Sequence, residues 1–116
     1  MKTFAGRKLS RKPGHRESLL RNLTTSLFQH EKIQTTFPKA KELSRYAEKI
    51  ITDAKQQGVS AQRQVARFIQ QKQIQKKLFE VLVPRYQTRN GGYTQIIKMD
   101  KRLGDAAPMA LIRLIP

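Results

Sequence analysis

The sequence predicts an α+β domain in two layers: about four helices packed on a small three-stranded sheet, preceded by a basic arm. Three observations predict it. Residues 31–37, EKIQTTF, alternate as a strand does, with Ile33, Thr35 and Phe37 on one side and Lys32, Gln34 and Thr36 on the other. Ala40, Leu43, Ala47, Ile50, Ile51 and Ala54 then recur at three- and four-residue spacing, the stripe of an amphipathic helix of about five turns. Near the C-terminus come two more strand-like segments, YTQIIKM over 93–99 and MALIRLI over 109–115. Three such strands need helices on at least one face, and 116 residues suffice for one domain with one core.

In chain order, residues 1–15 form a basic arm and residues 16–116 the domain. The arm carries Lys2, Arg7, Lys8, Arg11 and Lys12 without a single acid, and Gly6, Pro13 and Gly14 disfavour helix there. With Phe4 and Leu9 as its only sizeable apolar groups it cannot offset its ordering entropy alone. It is expected to be disordered in isolation and ordered on phosphate, where each cation releases condensed counterions; the alternative is a solvated tail. Residues 16–30 read as the first helix, with Leu19, Leu20, Leu23, Leu27 and Phe28 on one face. Arg16 and Arg21 stand toward its start, the end that the helix dipole makes unfavourable for cations unless phosphates lie nearby. His15 and His30 bracket this helix and read as capping or hydrogen-bonding groups.

Pro38 has no N–H for strand pairing and suits the first turn of the second helix, which Gly58 is expected to stop. Lys39, Lys41, Arg45, Lys49 and Lys55 stand off its apolar stripe, mixed with Glu42, Glu48 and Asp53. Ser60 is a candidate cap for the next helix. Val65, Phe68 and Ile69, then Ile74, Leu78, Val81 and Leu82, with Phe79 widening the stripe, predict two short helices over 60–83 that break near Gln71 and end at Pro84. Arg63, Arg67, Lys72, Lys76 and Lys77 are expected to face away from that stripe. RYQTRNGG over 85–92 is a loop, and DKRLGDAAP an irregular connection between the last two strands.

Charge points to function. Against 24 Lys and Arg stand 8 Asp and Glu, a net +16 that repels itself in a compact state and calls for a polyanionic partner. With no cysteine there is neither a disulfide framework nor a thiolate metal site, and the two histidines have no metal-ligand spacing. No apolar run approaches the roughly 20 residues of a membrane span, and no signal-peptide core opens the sequence. The basic, acid-poor opening also suits a mitochondrial transit peptide, but it leads straight into a patterned helix. No paired carboxylates, nucleophile elbow, phosphate-binding loop or zinc motif appears, so neither catalysis nor a cofactor is expected.

The candidate contacts centre on Asn90-Gly91-Gly92, where missing side chains let the backbone approach phosphate or ribose. Arg85 and Arg89 flank the bend and can fork onto phosphate oxygens. Tyr93 either stacks on an unpaired base or lies on the core face. Lys39, Lys41, Arg45, Lys98, Arg102, Arg16, Arg21, His15 and the arm cations complete the set. Composition alone does not separate one RNA from another or from DNA, although the second helix is too long and too striped for an obvious recognition helix. An RNA-processing enzyme would need an acid–base cluster.

Motifs spanning nearly the whole chain resemble the bacterial-type large-subunit ribosomal protein seventeen family. They are GRKLSR (6–11), HR followed by LLRNL (15–23), IQTTFPKAKEL (33–43) with IITDAK (50–55), KLFEVLVPRY (77–86), RNGGYTQIIK (89–98) and RLGDAAPMALIRLI (102–115). Thr3-Phe4-Ala5 departs from the family's basic, His-containing opening, so contacts of residues 1–5 do not carry over. The resemblance implies a structural component of the large ribosomal subunit in the bacterial cytoplasm. It would bind large-subunit ribosomal RNA near the outer end of the peptide exit tunnel, beside other ribosomal proteins, and the family has no known catalytic residues.

Overall fold

The stripe that marks the second helix in the sequence is the centre of the folded core. A computed structural model describes residues 13–116, so the expectations for Lys2, Arg7, Lys8, Arg11 and Lys12 lie outside the described residues. The elements run α1 (Pro13–His30), β1 (Lys32–Thr36), α2 (Phe37–Lys55) and α3 (Gly58–Ala66), then one continuous helix over 72–85, here α4, followed by β2 (Thr94–Met99) and β3 (Met109–Leu114). All six stripe residues of α2 are buried, against Leu27 and Phe28 of α1 and Ile112 of β3. Fully burying one such Leu, Ile or Phe contributes about 1.5–3 kcal/mol.

The helix boundaries depart from expectation at three places besides the start of α2. First, α1 opens at Pro13 rather than at 16, because proline lacks an N–H that the first turn would leave unpaired in any case. Next, α3 opens at Gly58, so Ser60 lies inside the helix rather than capping it. Gln57 and Gly58 are both left-handed, at φ 57° and 89°, and they turn the chain between α2 and α3. The third departure is at Pro84, which does not end α4. The helix begins as α over Lys72–Lys77, widens to π geometry over Leu78–Leu82 and closes as α over Val83–Arg85. The Val83 N–H reaches back to the Leu78 carbonyl, and this wider turn makes room for a proline that would clash in a regular helix. The break between α3 and α4 falls at 67–71, next to the expected position, and the Gln75 amide donates to the Ile69 carbonyl across it.

In the sheet the last strand lies in the middle, in the order β1-β3-β2, both pairings antiparallel. Ile33 and Ile96 flank Ile112 in one row, and Thr35 and Lys98 flank Ala110 in another. Ala110, Ile112 and Leu114 face the helices and are buried, while Met109, Leu111 and Arg113 point to the uncovered side. Phe37 is expected as the end of the strand but becomes the first residue of α2, and its N–H donates to the Pro108 carbonyl at 2.8 Å. That bond ties the strand-to-helix corner to the start of β3.

Candidate nucleic-acid interface

Positive charge collects at this corner. The ammonium of Lys41 stands 5.4 Å from the centroid of the Phe37 ring and that of Lys98 stands 4.9 Å from it. Lys98 springs from the helix-facing side of β2, so its stem covers the ring while its charge reaches solvent. Lys39 adds a third cation in the first turn of α2, which contains no acid. Among the described residues no carboxylate pairs with Lys39, Lys41 or Lys98. Like charges held close together at the positive end of a helix dipole favour an anion there. The loop after β2 ends at the same corner. Within it Arg102 forks onto Asp105, and this hydrogen bond holds the Asp105 carboxyl at about 2. Arg102 also closes the loop through its backbone, donating to the Ala107 carbonyl at 2.8 Å, and Leu103 stands 96% exposed at the tip.

The glycine bend lies at the other end of the sheet, the length of a six-residue strand away, or about 20 Å. Gly91 and Gly92 are left-handed, at φ 82° and 64°, with open space where a Cβ would stand. Arg89 is exposed and has no acidic partner among the described residues. Arg85 is differently placed: its guanidinium donates to Glu31 at 2.7 Å, and Lys77 bonds the other oxygen of Glu31 at 3.2 Å. The Arg85 hydrogen bond, reinforced by Lys77, holds the Glu31 carboxyl below its ordinary range despite partial burial. Lys77, expected to face away, is thus part of an ion-pair cluster, and it also donates to the Gln29 carbonyl.

Tyr93 has no ring face available to a base. It is 1% exposed, its ring lies 5.1 Å from that of Tyr86, and the Lys55 ammonium stands over its face. Of the two readings of this residue, the core one holds. Lys55 also donates to the Tyr93 hydroxyl at 2.9 Å and to the Arg89 carbonyl at 2.6 Å. Burial would push the Tyr93 phenol up, but hydrogen bonds from Lys55, the Gly91 backbone and Thr52 outweigh it and hold the phenol below its ordinary value. Sequence reasoning counted Lys55 as one more surface cation; its role as the tie that shapes the glycine bend depends on a neighbour 38 residues away.

The remaining candidates lie along α1 and α2. Arg16 is 5% exposed and belongs to the packed interior rather than to the surface. Arg21 pairs loosely with Glu17 at 3.8 Å, and Arg45, 67% exposed, lies 4.0 Å from the buried Glu42. His15 and His30 are both exposed. The candidates therefore do not converge on one spot. The fold brings Lys39, Lys41, Lys98 and Arg102 to one end of the sheet, and Arg85, Arg89 and the two glycines to the other.

Sequence comparison covers nearly the whole chain. The family described as Ribosomal protein L17 matches residues 19–115. A large ribosomal subunit protein bL17 of Pelobacter propionicus is 52% identical over 111 residues, 96% of this chain and 87% of that protein. The protein of the same name from Endomicrobium trichonymphae is 50% identical over 115 residues, 99% of this chain and 98% of its own. The one from Heliobacterium modesticaldum is 52% identical over 109 residues, 94% and 97% of the two chains. With a match over nearly its whole length, this chain belongs to the ribosomal protein L17 family.

Proposed function

We propose that this chain is a structural constituent of the large subunit of a bacterial-type ribosome, binding large-subunit ribosomal RNA through its phosphates beside other subunit proteins and catalysing no step. The observation that carries the phosphate reading is the corner around Phe37, where Lys39, Lys41 and Lys98 have no carboxylate partner among the described residues. Arg89 and the open backbone of Gly91 and Gly92 form a second contact at the far end of the sheet. The subunit assignment rests on what the relatives are named, and the place near the exit tunnel and in the bacterial cytoplasm rests on the family resemblance. Sedimentation tests it: the tagged chain, expressed in a bacterial host, is expected to travel with large subunits and to remain on them in the presence of competitor DNA. Sedimentation with free protein, or release by DNA, overturns the reading.

A further inference from the structure

One groove lies apart from both cation clusters. It runs between the outer side of α1 and the 67–71 break, encloses about 490 Å³, and is walled mainly by neutral hydrogen-bonding groups. Asn22, Gln29, Gln70 and Gln71 supply amides, and serine and threonine hydroxyls of α1 line the floor. No carboxylate is among the lining residues. Arg21 is the one lining cation; its guanidinium reaches Glu17 at 3.8 Å and the Tyr46 hydroxyl, while its Nε makes no hydrogen bond among the described residues. Phe68 adds aromatic surface, half-buried and held by an edge-to-face contact with Tyr46, ring centroids 5.6 Å apart.

We infer that this groove takes a single unpaired nucleotide of the bound RNA, its base against Phe68 and the amides and its phosphate toward Arg21. Each amide carries both donors and an acceptor, as the Watson–Crick edge of every base does. A site for phosphate alone would call for more than one cation. RNA differs from a duplex in offering unstacked bases that proteins hold between aromatic, guanidinium and amide groups. The volume lies within the usual range for a small-molecule site, larger than a base and too small for a helix. This inference rests on the chain's being an RNA binder but needs no contribution from the corner lysines.

The test fills the groove without touching the core. Asn22 is exposed and Ser26 half-exposed, one turn apart on α1, while the buried side of that helix is formed by Leu20, Thr24, Leu27 and Phe28. A double variant, Asn22→Leu with Ser26→Leu, is compared with the parent for binding to large-subunit ribosomal RNA. Its thermal midpoint is recorded alongside to confirm the fold. The expected result is about tenfold weaker binding, the loss of one stacked base, with the slope of log affinity against log salt flattened by no more than about 0.7 to 0.9, the share of the one phosphate at Arg21. Chemical probing of Watson–Crick edges is expected to show one unpaired nucleotide protected by the parent and reactive with the variant. Equal affinity and the same protection for parent and variant overturn the inference while leaving RNA binding intact. So does a variant that binds naked RNA normally but fails to enter particles, since the groove then holds a protein segment. A parent that does not bind the RNA at all counts instead against the proposed function.

Discussion

Tyr93 shows how one side chain can be claimed by the interior. Its ring, its hydroxyl and the cation over it are all used within the fold. Tyr93→Ala is expected to cost about 3–5 kcal/mol in urea unfolding, the range for a large buried aromatic, whereas Arg89→Ala should leave stability nearly unchanged. In RNA binding Arg89→Ala should lose at least about 1 kcal/mol, as for one charged hydrogen bond; parent-like affinity would make the bend a plain turn. Glu31 is the acid counterpart. It sits left-handed at φ 64°, its N–H donating to the Leu27 carbonyl to close α1 and its carboxylate receiving Arg85 and Lys77. Because its carboxyl titrates lower folded than unfolded, its contribution to stability is complete above the ordinary 4.5 and is lost as pH falls below that value through the folded one. Glu31→Gln should flatten this part of the acid-unfolding profile measured by circular dichroism. An unchanged profile would mean that the cluster adds nothing.

At the level of elements, the corner between β1 and α2 concentrates positive charge in a junction. Pro38 supplies a first turn that needs no N–H, Phe37 is anchored by Pro108, and the lysines project from the rim of a packed ring. Replacing Lys39, Lys41 and Lys98 together by alanine removes three cations that lack ion pairs among the described residues, and folding stability should fall only slightly, the relief of repulsion offsetting the lost cover of the Phe37 ring. RNA affinity should fall, and the slope of log affinity against log salt should flatten by about 2, since each lost phosphate contact removes about 0.7 to 0.9. A slope equal to the parent's would show that RNA does not meet this corner. The π segment of α4 is the opposite case, an element altered for structural reasons alone. The wider turn accommodates Pro84 and keeps Arg85 at the end of the same continuous helix with Tyr86 as its cap, where one reaches Glu31 and the other the Ile115 carbonyl.

Across the whole molecule, 24 Lys and Arg face only eight acids, and among the described residues four of these, Glu17, Glu31, Glu42 and Asp105, are occupied in ion pairs. The surplus is left to face a polyanion. If about six phosphates are neutralised, the salt slope of the intact chain should be about −4 to −5 in a binding titration. A slope near zero would rule out a phosphate-dominated interface.

The sequence by itself determined the class of fold, the three strands, the whole apolar stripe of α2 and the sign of the partner. Each of these comes from local periodicity or from a sum over residues, and none depends on which segments meet. What only the tertiary structure decided is which cations are free. Arg85 and Arg89 look equivalent beside the glycines, yet the return of Glu31 from 54 residues away engages the first and leaves the second exposed. Lys55 and Lys41 likewise stand on one helix, but Lys55 meets Tyr93 across the core boundary and Lys41 meets Phe37 at the rim. The strand order did the same at larger scale, since β3 pairs on both sides and carries Lys98 to the corner, far from the bend that is its neighbour in sequence. Ion pairs and strand partners are contacts between distant segments, and a pattern read along the chain has no term for them.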